Sequence, residues 1–354
     1  MNGEYRYVIG LMSGTSLDGL DIVYVKFNTS GVSKYHIIYS ETVKYRQDLK
    51  QKLATGISKS KTELSLLNIE YGKFLGEKVN AFIEKFIIEN VEFVASHGHT
   101  ILHQPEKGIT LQIGSGQVIS NVTGLKVVSD FRTQDVQLGG QGAPLVPIGD
   151  ELLFSEYAAC LNLGGFANIS YQKQNKRVAF DICPVNIVLN KYVSFFKVEY
   201  DDEGKHASRG EIDKDLLEKL NDLPFYKEEA PKSLGLEWVQ VEVFPLIDSC
   251  NLNIYDVLRT FVEHIAIQIA EIVNEIDTVL VTGGGAFNLF LMQRIKTLSA
   301  AKVVIPEGQV VDYKEALIFA FLGVLRVDNQ VNCLSSVTGA SRDHSSGQIC
   351  TPEK

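Results

Sequence analysis

Apolar residues come in two rhythms along this chain. Tyr5 to Gly10 and Leu20 to Phe27 are short apolar, β-branched runs on either side of Ser13-Gly14-Thr15-Ser16, the pattern of a β-hairpin around a polar loop. Lys61 to Asn90 carries Leu64, Leu67, Val79, Phe82, Ile83, Phe86 and Ile87 at helical spacing, and Val91 to Ala95 follows as a short buried strand that exits into Ser96-His97-Gly98-His99-Thr100. The hairpin shape returns in the middle of the chain: Ala158 to Leu163, a break at Gly164-Gly165, then Ala167 to Tyr171, a polar turn and Arg177 to Ile182. Two such units, one near the start of each half, suggest a duplication. Ile254 to Ile276 reads as a long helix on Val257, Leu258, Phe261, Val262, Ile265, Ile269, Ile272 and Val273. Asp277 to Val281 follows as a strand, then Gly283-Gly284-Gly285 and a helix through Ile295; another helix follows Lys314. Strand, glycine turn and helix in this order belong to an α/β protein.

Glycine and proline concentrate in Gly139-Gly140-Gln141-Gly142-Ala143-Pro144-Leu145-Val146-Pro147, which neither a helix nor a central strand tolerates. The domain junction is expected there. It divides the chain into an N-terminal α/β domain (1–140), a C-terminal α/β domain (141–340) and a loose polar tail (341–354). At 354 residues the chain has length for two cores.

Composition narrows the function classes. Hydrophobic residues at 45% and charged ones at 22% fit a globular protein, and a net charge of −9 without a basic stripe argues against nucleic acid as partner. No apolar stretch is long enough to span a bilayer, and the first residues run into a strand instead of a signal peptide, so no membrane and a cytoplasmic location are expected. Five scattered cysteines, Cys160, Cys183, Cys250, Cys333 and Cys350, suggest neither a disulfide framework nor a zinc cluster and read as reduced bystanders.

The loop Gly10-Leu11-Met12-Ser13-Gly14-Thr15-Ser16-Leu17-Asp18-Gly19-Leu20-Asp21 packs backbone N–H groups, hydroxyls and two carboxylates into one hairpin. It can hold a phosphate, with Asp18 and Asp21 on a hydrated Mg²⁺, or it is simply a tight turn. It is not a Walker A loop, because the lysine is missing and a strand follows. Gly283-Gly284-Gly285-Ala286-Phe287-Asn288 is a strand-to-helix turn that can face a nucleotide or merely pack. Asp181 lies at a strand end before a proline turn, where a carboxylate serves as general base or as a turn residue. His97, His99 and His103 invite a zinc reading, but no Cys or Glu completes a ligand set nearby, and hydrogen bonding to a polar ligand fits better. Asp130, Arg132 and Asp135 offer an acceptor and a cationic fork suited to sugar hydroxyls or a carboxylate, or an internal ion pair.

The string Gly10 to Asp21 resembles the G-x-M-S-G-T-S-x-D-G-x-D signature of anhydro-N-acetylmuramic acid kinases. Further matches follow in order along nearly the whole chain: Ser96 to Thr100, Gln112 to Gly114, Asp130 to Arg132, Gly139 to Pro147, Asn162 to Asn168, Pro231 to Ser233, Gly283 to Asn288 and Glu315-Ala316. The resemblance implies a two-domain, actin/hexokinase-like (ribonuclease H-like) α/β fold with a central cleft. It implies an enzyme that uses ATP and Mg²⁺ to open the 1,6-anhydro ring of anhydro-N-acetylmuramic acid with water and phosphorylate O6, in peptidoglycan recycling. It also implies a homodimer. Carried over residue by residue, Ser13, Gly14, Thr15, Ser16, Leu17, Asp18, Gly19, Leu20 and Asp21 contact the nucleotide phosphates, and Gly164 and Gly165 form a second phosphate loop. Gly283, Gly284, Gly285 and Asn288 face the adenosine. Asp181 is the general base, with Glu315 assisting or positioning the water, and His97, Gly98, His99, Asp130 and Arg132 bind sugar.

One departure stands out. Many members carry F-D-C-G-P-G-N, whereas this chain has Phe180-Asp181-Ile182-Cys183-Pro184-Val185-Asn186, with both glycines replaced. A side chain where backbone approaches ligand is expected to crowd the sugar or alter the turn. A nonenzymatic nucleotide- or sugar-binding relative and a kinase for a different sugar are the competing readings, separated by ADP release on a sugar panel.

Overall fold

The computed structural model describes residues 5–14, 16–28 and 34–353. It divides into two compact units: Met1–Ser155 with Tyr313–Lys354, and Glu156–Asp312. In chain order the strands are β1 (Tyr5–Ser13), β2 (Leu20–Asn28), β3 (Tyr35–Val43), β4 (Phe93–Gln104), β5 (Ile109–Ile113) and β6 (Lys126–Ser129). They continue as β7 (Ala159–Leu163), β8 (Phe166–Lys173), β9 (Lys176–Pro184), β10 (Thr278–Thr282), β11 (Lys302–Val304) and β12 (Gln348–Cys350).

The two units repeat one topology. In the first, β1, β2 and β3 form an antiparallel meander, the helix Lys61–Phe86 crosses over to set β4 parallel to β1, and the helix Gly116–Thr123 sets β6 parallel to β4. In the second, β7, β8 and β9 form the meander, and crossings that include the helices Ile254–Val273 and Leu289–Leu298 set β10 parallel to β7 and β11 parallel to β10. Strand orders β3-β2-β1-β4-β6 and β9-β8-β7-β10-β11 are therefore equivalent. This is the doubled α/β arrangement expected of an actin/hexokinase-like chain.

Local chemistry explains the crossing in the first unit. Ser60 accepts the amide of Glu63 while the Glu63 carboxylate accepts the amide of Ser60, a capping box that starts the helix Lys61–Phe86. Leu67, Tyr71, Leu75, Val79 and Phe82 then form a buried stripe at three- to four-residue spacing. Ile87, in the left-handed region at φ 52°, ends it. The expected helix over Lys61 to Asn90 stops four residues early.

Three expectations are corrected. The polar motif Ser96 to Thr100 lies inside β4, which runs on to Gln104 because its backbone finds a partner in β5. The junction is not at Gly139–Pro147: Gly140 and Gly142 donate their amides to Asp135, and Gln141 donates to the carbonyl of Thr338, so this segment is stitched into the first unit. The division falls after Ser155, and the helix Gly308–Val327 carries the chain back into the first unit. The tail is not loose, since β12 pairs antiparallel with β6, Ile349 opposite Val128.

Candidate active site

In the first unit the chemistry gathers where the end of β1 meets the middle of β4. Parallel pairing sets Ser13 against His99. The Ser13 hydroxyl stands 2.9 Å from His99 Nδ1 and accepts from the Tyr45 hydroxyl at 2.6 Å, with Tyr71 Oη 2.8 Å further along. Burial holds both phenols above their ordinary pKa, so they stay donors. Burial lowers His99 to about 4, which keeps the ring neutral. The Ser13 oxygen has two lone pairs, so beside its bond from Tyr45 it accepts from or donates to His99 Nδ1 according to the ring's tautomer.

His97, one turn of the pleat away, takes a different partner. Arg132 Nη2 and Nε lie 2.9 and 3.1 Å from its Nε2, and Arg132 Nη1 donates to the carbonyl of Gly142 at 2.6 Å. Burial and the adjacent guanidinium hold His97 neutral, far below its ordinary pKa, and burial brings Arg132 down to about 10. His103 is exposed, with Nδ1 3.1 Å from the Thr110 hydroxyl. The three histidines thus have separate partners instead of a shared ligand geometry. Gly98 sits at φ 72°, and a Cβ there would come within 2.6 Å of the Ile113 carbonyl oxygen, so the strand bends at glycine. Asp130, at φ 56°, accepts from the Thr133 amide and from Gln348 Nε2.

The loop after Ser13 turns at Leu17, φ 60°, whose amide donates to the carbonyl of Gly14. Thr15 lies outside the described residues. Ser16 and Asp18 are exposed, whereas Gly19 and Leu20 are buried, and Asp21 on β2 accepts from the Thr42 hydroxyl at 2.6 Å. A Cβ on Gly10 would overlap the Ala316 carbonyl oxygen, so the helix Gly308–Val327 seats directly on β1. That contact brings Glu315 beside Asp21, Arg132, Lys314 and Asp150. Solvent reaches Glu315, but the surrounding protein raises its pKa, with Arg132 and Lys314 opposing. Lys314 and Asp150 form a buried ion pair at 2.7 Å.

In the second unit two glycine turns lie side by side at the ends of β7 and β10, whose register sets Thr282 beside Asn162. The glycines differ in kind. Gly283 has φ 82°, and a Cβ would come within 2.7 Å of Asn162 Oδ1; a Cβ on Gly285 would come within 2.7 Å of Leu163 Cβ. Packing demands glycine at both. A Cβ on Gly165 would meet only Ile187 Cβ at 3.9 Å, and one on Gly284 only Asn186 Nδ2 at 3.8 Å. Nothing among the described residues requires glycine there, and the bare backbone leaves room for a ligand to approach. Asn288 uses its Oδ1 to cap the helix Leu289–Leu298 through the Leu291 amide.

Asp181 lies on β9 opposite Asn168, and because Ala167 pairs with Cys183, Ile182 is an extra residue that bulges the strand beside the carboxylate. The segment after Pro231 holds Asp181 at both ends: its amide donates to the Lys232 carbonyl at 3.0 Å, and its Oδ2 accepts from the Leu234 amide at 2.8 Å. Burial raises the pKa of Asp181 and the Leu234 amide restrains the rise. Cys183 and Val185, which replace the two glycines, are fully buried in the second unit's core.

Sequence reasoning missed Tyr45, Tyr71 and Leu234. Tyr71 had a signal, a hydroxyl on the apolar stripe of a helix; Leu234 acts through its backbone and had none.

The chain is similar to known proteins over nearly its whole length. The family model for anhydro-N-acetylmuramic acid kinase matches residues 6–352. The anhydro-N-acetylmuramic acid kinase of Haemophilus influenzae is 33% identical over 99% of this chain and 99% of its own length. That of a Sulfurovum species is 35% identical over 97% of this chain and 98% of its own. Among solved structures, a ROK family glucokinase from Streptomyces griseus aligns with a TM-score of 0.43 at 13% identity over 89% of this chain and 98% of that one. The chain belongs to the anhydro-N-acetylmuramic acid kinase family, and it is a sugar kinase.

Proposed function

We propose that this chain opens the 1,6-anhydro ring of anhydro-N-acetylmuramic acid with water and phosphorylates O6 at the expense of ATP, giving N-acetylmuramic acid 6-phosphate and ADP. The observation that carries the chemistry is Asp181: a half-buried carboxylate, pinned by Leu234 and Lys232, with its pKa raised toward the range of a working base. Water forms a bond to the anomeric carbon, the bond from that carbon to O6 breaks, and Asp181 takes the proton lost by the water. O6 becomes the acceptor of the phosphoryl group.

ATP supplies that group, and Mg²⁺ neutralises its charge. Room at Gly165 and Gly284 fits backbone approach to a nucleotide, with Gly164 beside them, and Gly14 is similar, since a Cβ there would meet Ser16 Oγ at 3.5 Å. In this reading Ser13 to Asp21 hold the phosphates, with Asp18 and Asp21 toward the metal. Gly283 to Asn288 face the adenosine. His99 offers its free Nε2, and Arg132 a guanidinium, to sugar hydroxyls, with Gly98 and Asp130 alongside; neutral His97 sets the tilt of Arg132. Glu315 positions the water.

Purified protein given ATP and anhydro-N-acetylmuramic acid should release one ADP per 6-phosphate formed. Equal ADP release with other sugars, or none with this one, refutes the substrate. A homodimer and a cytoplasmic location belong to the same reading. Among the described residues no helix is long and apolar enough to cross a membrane; light scattering tests the dimer.

A further inference from the structure

Next to Arg132, but using none of the residues assigned to nucleotide or sugar above, Asp135, Cys333 and His344 converge inside the first unit. They are 0%, 1% and 6% exposed. Asp135 lies on the short helix Thr133–Gln137, while Cys333 and His344 face each other across an isolated antiparallel bridge. Cys333 Sγ lies 3.1 Å and His344 Nε2 3.6 Å from the same atom, Asp135 Oδ1. A tetrahedral zinc, with bonds of about 2.0 Å to oxygen and nitrogen and about 2.3 Å to sulfur, sets sulfur about 3.5 Å and nitrogen about 3.3 Å from the oxygen. The side chains are close to that spacing already.

The histidine tautomer is the second observation. His344 Nδ1 is 3.2 Å from the Arg342 carbonyl oxygen, which can only accept, so Nδ1 carries a proton. Nε2 is buried, has no hydrogen-bond partner and faces a carboxylate oxygen. A bare lone pair against a carboxylate is repulsive unless a proton or a metal cation lies between them. An imidazole fixed by a backbone carbonyl, with its other nitrogen directed at a carboxylate and a sulfur, is the arrangement of a metal-binding histidine.

We propose that Asp135, Cys333 and His344 form a structural site for one thiophilic divalent cation of the zinc type. Charge favours it, since a carboxylate and a thiolate neutralise a dication and the imidazole stays neutral. A water completes four-coordination, while the Thr338 hydroxyl donates to Asp135 Oδ1 at 2.7 Å and holds the carboxylate. On binding, the Cys333 S–H bond gives up its proton to solvent and a sulfur–metal bond forms; nothing is oxidised or reduced. The site ties the segment carrying Cys333 and His344 to the glycine-rich loop, since Asp135 Oδ2 also accepts from the Gly142 amide at 2.6 Å.

The test uses the full chain, stripped with chelator and titrated with Co²⁺ under reducing conditions. One equivalent should produce a near-ultraviolet thiolate-to-cobalt band and tetrahedral visible bands, both displaced by Zn²⁺. Cys333→Ser should abolish the thiolate band, His344→Gln should weaken cobalt binding at least tenfold, and Cys350→Ser should leave both unchanged. Zinc should raise the unfolding temperature of the wild type but not of His344→Gln. A wild type that shows no thiolate band, or a band that survives Cys333→Ser, overturns the proposal and makes His344 an imidazolium paired with Asp135. Should both variants fail to fold, absence of a zinc-dependent shift in the wild type has the same force.

Discussion

The Ser13 hydroxyl sits 2.9 Å from His99 Nδ1, at the point where the opening hairpin meets the histidine-bearing strand. Ser13→Ala strands the buried His99 Nδ1 and takes one of two partners from the Tyr45 phenol, which keeps only Tyr71. It is expected to cost about 1–3 kcal/mol by urea unfolding and to lower kcat/KM for the sugar. Wild-type stability in that variant would mean the three groups form no working chain of hydrogen bonds.

Asp181→Asn is expected to bind nucleotide normally and to lose turnover. In the wild type the base must be ionised, and its pKa lies above the ordinary aspartate value of 3.8, so kcat should fall on the acid side through that raised pKa. A pH–rate profile and a nucleotide titration of the variant check both statements. Substantial turnover by the amide removes Asp181 from the reaction.

Two glycines in neighbouring turns should answer differently to the same substitution. Gly165→Ala meets open space and is expected to leave the unfolding temperature unchanged while weakening nucleotide binding tenfold or more. Gly283→Ala places a side chain at φ 82° against Asn162 and is expected to cost about 1–3 kcal/mol. If Gly165→Ala binds nucleotide as tightly as the wild type, no phosphate approaches that turn.

Glu263 is buried on the helix Ile254–Val273 and accepts from Arg259 and from both arms of Arg294, each at 2.8 Å. Burial pushes its carboxyl up, but the two guanidiniums win and leave its pKa below the ordinary 4.5. A depressed folded pKa means stability that is fully present above the unfolded value and lost as pH falls through the folded one. Glu263→Gln should cost about 3–5 kcal/mol at pH 7, and the penalty should shrink below pH 4.5. A penalty independent of pH would point to lost packing instead.

Element types were largely legible, because apolar spacing reports which face of a helix or strand is buried. The ends of elements were less so. Ser96 to Thr100 reads as a loop by polarity, yet its backbone is paired with β5 and its histidines are enclosed by Tyr71, Ser13 and Arg132. Gly139 to Pro147 reads as a linker, yet its glycines admit close approach to the Asp135 carboxylate. The motif glycines and Asp181 were visible as residues, but the bulge at Ile182 and the amide of Leu234 arise only when distant backbone is brought alongside. Asp135 and Cys333 are 198 positions apart, and no local spacing joins them.

The second unit is one uninterrupted stretch, whereas the first is closed by β12 and the helix that returns at Tyr313. During vectorial synthesis the ribosome therefore delivers every residue of the later unit before the earlier one can finish its sheet. A nascent chain waiting at that stage exposes the open flank of β6, so the half that begins first is the half that must be sheltered longest.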